Sequence, residues 1–282
     1  MFFFFFEKIL PYINLPEQVY HYTNAEAFLG IFGKNGKNEL WASHILFQND
    51  KKEAIYAFEI LKDIMNTKKR YFEQKKLDVY KIIDYIQRFV GNQVFTISFS
   101  EKRDDLNQWR GYANSTPAYC IGFLSNKLNK ININNAMFYK CIYGLEEQKN
   151  MIENLVDYVI EKLDNQKEKE IKEDSIGEEL LPDFLMMSAL FKDSAFSEEK
   201  EWRLVFSSVN KEQIHIRVGN KGFVPYVKIP ISKDFIKDII IGPCAEGEYE
   251  LKATMYVCSL YGIEIGGKKN RVIENSNIPF RK

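Results

Sequence analysis

The sequence predicts an α+β fold whose helices are gathered in two long blocks. Short runs that are apolar, or that alternate between apolar and polar residues, are typical of strands. Two longer segments, at about 53–90 and 145–192, repeat apolar residues every three or four positions and so predict helices. The chain has 282 residues, 45% hydrophobic and 15% aromatic, which is enough for a large packed core. Because no linker interrupts this pattern, we expect one domain over residues 1–282, with the two helical blocks as insertions.

The first half of the chain begins with a strand and a helix. Residues 19–23 form a predicted strand, and Asn24 can cap a helix at 25–32. The first helical block comes later in this half, before its central strands. The other strands predicted here are 39–43, 94–100, 119–123 and 137–143.

The second half combines the other helical block with further strands. Residues 164–179 are rich in charge and predict a solvated helix extension or a loop. Pro182 suits the first turn of a helix that reaches Lys192. A last helix is predicted at 248–260, and strands are predicted at 202–207, 214–218, 224–229, 236–241 and 263–265.

Charge and cysteine content exclude some classes of protein. Thirty-nine basic and thirty-nine acidic residues cancel, so the chain as a whole has no electrostatic bias towards nucleic acid. No pair of cysteines has the Cys-x-x-Cys spacing of a zinc site, and we expect no metal. The four cysteines are scattered, and three of them stand in apolar runs, which is typical of reduced thiols in a cytoplasmic protein. They are Cys120, Cys141, Cys244 and Cys258.

An aromatic run, Phe2–Phe6, stands at the N-terminus. A membrane span needs about 20 apolar residues, and a signal peptide needs a basic start and a small-residue cleavage site. Glu7 and Lys8 end the run too early for a span. We therefore expect a segment that packs on the core or on a partner, and no membrane association.

One histidine and two acids are the main candidates for chemistry. His21 lies in the first predicted strand, and Glu199 and Glu201 stand at the entrance to strand 202–207. This combination resembles two marks of enzymes that split NAD for ADP-ribose transfer. Cleavage of the nicotinamide–ribose bond develops positive charge on the ribose, which a nearby carboxylate stabilises. We expect His21 and Glu201 to line one cleft about a ribose wide.

Longer motifs extend this resemblance over about residues 19–245. Segments 20–23, 28–32 and 39–43 resemble the opening of the DarT-like branch of the ADP-ribosyltransferase superfamily. Other motifs resemble a widespread bacterial family of uncharacterised domains. They are Asn49-Asp50…Glu53, the run Gln108-Trp109-Arg110 with Tyr112, residues 118–123, and Glu199-Lys200-Glu201-Trp202-Arg203-Leu204.

The resemblance implies a split β-sheet core, NAD as a substrate, and a role for each matching residue. His21 would contact the NAD ribose, supported by Thr23. Glu201 would be the catalytic glutamate, and Glu199 would orient the acceptor nucleophile. Arg110 would grip the pyrophosphate as a bidentate donor. The remaining candidate cofactor contacts are Ser98 and Ser100 on the central strand, and Trp109 and Tyr112 as aromatic surfaces.

Structural alternatives accompany four of these assignments. His21, flanked by tyrosines in a strand, can be a satisfied core residue instead of a ligand contact. Alternation in a strand puts Glu201 and Arg203 on one face, where they can form a structural ion pair. Trp109 and Tyr112 share a helix face, which is more typical of a core than of a base-stacking surface. The segment 49–53 can be a capped helix start instead of a weak metal site.

The function expected from the resemblance is transfer of ADP-ribose from NAD to a macromolecular acceptor, either nucleic acid or protein. Such reactions are typical of bacterial toxins and antiphage effectors, so an antitoxin or a defence-system protein is an expected partner. Two alternatives remain at this point: a non-catalytic sensor of a nucleotide or a phage component, and a hydrolase of NAD or nucleic acid.

Overall fold

The computed structural model describes residues 9–33, 37–47, 52–89, 94–112, 117–133, 135–165, 171–207, 209–219, 222–244, 246–264 and 271–279. Within these ranges the strands, β1 to β10 in chain order, are Gln18–Asn24, Asn38–His44, Phe95–Ser100, Ala118–Leu124, Met137–Lys140, Glu201–Phe206, Ile214–Gly219, Gly222–Ile231, Ile236–Ile241 and Val272–Asn275. The helices, α1 to α9, are Ala25–Ile31, Lys52–Thr67, Lys69–Gln74, Val79–Phe89, Leu106–Tyr112, Ser125–Leu128, Leu145–Asn165, Glu173–Leu190 and Gly247–Leu260.

All ten of these strands join one mixed sheet, which confirms the α+β class. The strand order is β10-β9-β4-β1-β3-β2-β8-β7, and β6 and β5 extend the sheet from the other edge of β3. Every pairing is antiparallel except that of β9 with β10. The order requires long connections, and the two predicted helical blocks supply two of them, as α2 to α4 and as α7 and α8.

The sheet divides along one edge of β3. β1 pairs with β3 only at Tyr20 and Ser100, near the end of β3. β2 pairs with the same edge only at its beginning, through Ser43 with Thr96 and His44 with Phe95. At residues 97–99 this edge of β3 therefore has no strand partner among the described residues. We call this gap between β1 and β2 the split.

The two faces of the sheet are covered differently. One face carries α1 and α9 over a core that includes Val19, Phe99 and Trp202. The other face carries the helical insertions, which pack their own large core against Val205 of β6. A smaller cluster on this second face, around Tyr22, packs against α5. None of the helices in the described ranges is both long and apolar enough to cross a bilayer.

Three sequence predictions differ from the structure. Pro182 lies inside α8, which begins at Glu173, and not in a first turn. The preceding charge-rich stretch contributes to this helix because Ile176 and Leu180 are buried among the insertions, and that packing outweighs the backbone hydrogen bond that proline cannot make. The last described strand is Val272–Asn275, parallel to β9. In the predicted strand 263–265, residues 263 and 264 are not in a strand, and 265 lies outside the described residues. The aromatic run at 2–6 lies outside the described residues.

Candidate functional site

The side chain of His21 lies at the split. Its Nδ1 lies 2.8 Å from the carbonyl oxygen of Ser98, and its ring lies 5.7 Å from that of Phe99. Burial lowers the pKa of His21 below its ordinary value of 6.5, against the smaller raising effect of the Ser98 hydrogen bond. The imidazole is therefore neutral near pH 7. Because a carbonyl only accepts, Nδ1 carries the proton and Nε2 is left as an acceptor.

Glu201 is held in a buried ion pair at the start of β6. Its Oε1 lies 2.7 Å from Arg203 Nε, and its Oε2 lies 3.2 Å from Arg203 Nη2. Lys192, just after α8, brings its Nζ within 2.5 Å of the same Oε2. All three residues are buried. The alternative of a structural Arg–Glu pair is confirmed.

Neighbouring groups complete this arrangement. Lys192 Nζ also lies 2.5 Å from Glu199 Oε2, and Arg203 Nη1 donates to the carbonyl of Ala189 at 2.9 Å. The backbone N–H of Glu201 donates to the hydroxyl of Tyr143 at 2.9 Å. We call Lys192, Glu199, Glu201 and Arg203 the acid–base cluster. Its two acids and two bases balance, so the charge that it buries is compensated.

The two basic residues of the cluster keep Glu201 ionised. Burial alone would raise the pKa of this carboxyl, but Arg203 and Lys192 hold it at about 2, against an ordinary value of 4.5. A carboxyl whose pKa is lower in the folded chain stabilises the fold above the unfolded-state value. That contribution is lost as the pH falls through the folded-state value.

We therefore expect acid to weaken the fold between about pH 4.5 and pH 2 through Glu201. Urea unfolding at pH 5, 4 and 3 measures this loss. Glu201→Gln removes the titrating group, so the variant should show a flatter dependence than the wild type over the same range. Parallel slopes for the two proteins would assign the acid sensitivity to other carboxyls.

His21 and Glu201 lie on opposite faces of the sheet, so the expectation that they line one cleft is wrong. Tyr20, Ser100 and Glu201 follow one another across paired positions and share a face. His21 is the next residue along β1 and points to the other side, against Phe99. The backbone of β3 separates the imidazole from the carboxylate.

The other candidate residues on the strands are Thr23, Ser98 and Ser100, and they also lie on different faces of the sheet. Thr23 is buried, two residues beyond His21 on the same face. Ser98 is half-buried and supplies the carbonyl that holds His21. Ser100 instead belongs to a turn, since its hydroxyl donates to the carbonyl of Glu199 at 2.7 Å and accepts from the N–H of Lys102 at 3.0 Å. Thr23 thus adjoins the split. The side chain of Ser98, paired with Arg203, points with that of Ser100 to the face of the acid–base cluster, and only the backbone carbonyl of Ser98 reaches His21.

The candidates on α5 have separate environments. Trp109 is buried, its indole N–H donates to Asp104 at 2.7 Å, and its ring meets that of Tyr22 edge-on at 4.8 Å. It is a core residue and not an open stacking surface. Arg110 is exposed and makes no hydrogen bond or ion pair with the described residues. The side chain of Tyr112 and the motif residues Asn49 and Asp50 lie outside the described part of the chain.

Sequence reasoning missed Lys192 and Tyr143 as partners of Glu201. Lys192 lies nine residues before Glu201, just after a helical block, and Tyr143 lies 58 residues before it, after β5. A lysine after an apolar run is the sole local signal, and it does not indicate its partner. Elsewhere in the described ranges, no group of three His, Cys, Asp or Glu side chains is placed to hold a metal ion.

Lys200, between the two acids, adopts a left-handed backbone conformation with φ 45° and ψ 50°. This turn lets both flanking glutamates reach Lys192. For a residue other than glycine the conformation costs about 1–2 kcal/mol, so Lys200→Gly should raise the free energy of unfolding by up to about 1 kcal/mol after its entropic cost. Thermal unfolding measures this gain. Lys200→Ala loses the same charge and keeps the strain, and an equal melting temperature for both variants would contradict the argument.

Comparison with known proteins identifies one similarity. Residues 108–204 match the model of a protein family of unknown function, DUF2971. The match covers about a third of the chain and includes both the Gln108-Trp109-Arg110 and the Glu201-Trp202-Arg203-Leu204 runs. The similarity to a family of uncharacterised proteins is thereby confirmed, and the family description assigns no activity. No curated protein and no solved structure matches the chain.

Proposed function

We propose that the chain binds NAD, or a nucleotide with the same ribose and pyrophosphate groups, at the split beside His21. The observation that carries the proposal is the gap along β3 at residues 97–99, with a neutral imidazole fixed inside it by the Ser98 carbonyl. The resemblance to ADP-ribosyltransferases implies a ribose contact at this same histidine, which supports the proposal.

The chemistry of His21 suits a ribose hydroxyl. Nδ1 donates a hydrogen bond to the Ser98 carbonyl, so Nε2 is free of a proton and can accept a hydrogen bond from a ligand hydroxyl. The neutral imidazole does this without a change of tautomer or charge. The ring is half-buried, so a ligand hydroxyl would meet an acceptor that is already oriented and partly desolvated. Thr23, two residues beyond His21 on the same face of β1, stands close enough along the strand to contribute a hydroxyl beside it.

Glu201 does not support the transferase step. A carboxylate that stabilises an oxocarbenium ion must face the ribose, and its negative charge must not already be neutralised by neighbouring cations. Both oxygens of Glu201 are bound by Arg203, one of them also by Lys192, and the side chain lies on the face opposite His21. This observation favours the nucleotide sensor over a transferase that uses Glu201. The macromolecular acceptor and the toxin or antiphage setting rest on the resemblance alone.

Calorimetric titration with NAD tests the proposal through His21. His21→Asn keeps an N–H near the position of Nδ1 and loses the Nε2 acceptor, so NAD affinity should fall about tenfold, with little change in melting temperature. His21→Ala loses both groups and should weaken binding and stability together. Equal NAD affinity for the wild type and both variants would place the site elsewhere and overturn the proposal.

Labelled NAD distinguishes a binder from an enzyme. We expect the wild-type chain to retain NAD and release it intact, with no label on macromolecules from a cell lysate. Transfer of label, or release of nicotinamide, would restore the transferase or hydrolase alternative with an acid other than Glu201. The His21→Asn variant serves as the matched control for either activity.

A further inference from the structure

A hairpin at the end of the sheet exposes a row of large apolar side chains. β7 has a single strand neighbour, β8, in the part of the chain that the structure describes. Ile216 and Val218 of β7 are 58% and 81% exposed, and Phe223, paired with Val218, is 73% exposed. All three lie on one face because Ile216 and Val218 are two residues apart.

Among the described residues, nothing gives the open edge of β7 the usual protection against pairing. Natural edge strands are blunted by proline, by lysine, by bulges or by a covering element. β7 reads Ile-His-Ile-Arg-Val-Gly, without proline or lysine, and its register with β8 is regular along its whole length. Its unpaired backbone N–H and C=O groups therefore offer a template for another strand, beside an apolar surface.

The sequence of β7 is complementary to itself in one antiparallel register. Centred on Ile216, a two-fold axis puts Ile214 opposite Val218 and His215 opposite Arg217, so apolar residues meet apolar ones and no like charges face each other. A register centred on Arg217 would put two arginines opposite each other, which is unfavourable. The self-complementary register thus selects a second copy of this chain as the partner.

We propose that two copies of the chain associate through their β7 strands, with the two-fold axis at Ile216, to form one continuous sheet. The apolar row of each copy, Ile216, Val218 and Phe223, becomes shielded on the common face. Because six residues and three side chains make a small contact, the dimer belongs to the weak class, which depends on protein concentration.

Cysteine cross-linking tests the register. Directly opposite residues have Cα atoms about 4.5–5.5 Å apart, within disulfide range, so Ile216→Cys should give a covalent dimer under mild oxidation. Val218→Cys alone should not, since two copies of residue 218 would lie more than about 13 Å apart. A mixture of the Ile214→Cys and Val218→Cys chains should cross-link to each other. The unmodified chain controls for Cys244, which is half-exposed.

Sedimentation measures the association without cross-links. The wild type should show a monomer–dimer equilibrium, and Ile216→Lys and Val218→Lys should be monomeric with an unchanged melting temperature, because both side chains are exposed. A wild type that remains monomeric up to its solubility limit overturns the proposal. Cross-linking of Val218→Cys as efficient as that of Ile216→Cys overturns the register.

Discussion

Replacement of Glu201 by glutamine should lower the free energy of unfolding by about 3–5 kcal/mol, because it leaves a buried charge without its partner. Glutamine keeps the volume of the side chain and removes the negative charge between Arg203 and Lys192. Lys192 retains Glu199, but the guanidinium of Arg203 loses both charged contacts with Glu201. Urea unfolding near pH 7, where Glu201 is ionised, measures the loss.

Glu198→Gln is the matched control, since Glu198 is an exposed acid three residues earlier that pairs with Lys102. Exposed pairs contribute little, so this variant should unfold within about 0.5 kcal/mol of the wild type. A loss of similar size in both variants would contradict the buried-pair argument. The expected destabilisation also bears on activity tests, because a Glu201→Gln chain that fails to fold would be inactive whatever the role of the carboxylate.

Trp109→Ala should cost about 3–5 kcal/mol, the range for emptying a buried aromatic site. The ring packs against Tyr22 and against Gly242, where a Cβ atom would come within 3.0 Å of it. Trp109→Phe keeps part of the ring volume and loses the bond to Asp104, so its cost should be smaller. Chemical unfolding measures both.

Arg110→Ala is the control for that series, because Arg110 is the next residue on α5 and is exposed without described partners. Its stability should stay within about 0.5 kcal/mol of the wild type. Titration of this variant with NAD also tests the assignment of Arg110 to the pyrophosphate. Because α5 packs on the face of the sheet opposite His21, NAD bound at the split does not meet Arg110, and its affinity should stay unchanged. A weaker affinity would restore the pyrophosphate assignment. A drop in melting temperature with normal NAD affinity would make Arg110 a structural residue.

The fold was predictable to the extent that its signals are local. Strands such as Gln18–Asn24 and Ile236–Ile241 follow from apolar runs, and the helical insertions follow from apolar spacing. The start of α8 was not predictable from Pro182, because buried contacts of Ile176 and Leu180 decide it. The strand at Val272–Asn275 exists through its pairing with β9, which is distant in the chain.

In the candidate site, too, the sequence predicted local relations between residues but not contacts between separate segments of the chain. Alternation within β6 predicted that Glu201 and Arg203 share a face, and the ion pair confirms it. It could not indicate Lys192, since nothing in the sequence specifies which residues meet in space. The sequence left two roles for Trp109, a core residue or a stacking surface. The packing of α5 against β1 buries its ring and makes it a core residue.

Side chains alternate along a strand with a period of two, so the order of residues already establishes which of them point to the same side. Glu201 and Arg203 are neighbours for this reason, and His21 and Thr23 share a side of β1. That His21 and Glu201 lie on opposite sides of the sheet follows only from the way the strands are paired. The relation between strands depends on register, and a shift of one residue reverses the face of every side chain in a strand.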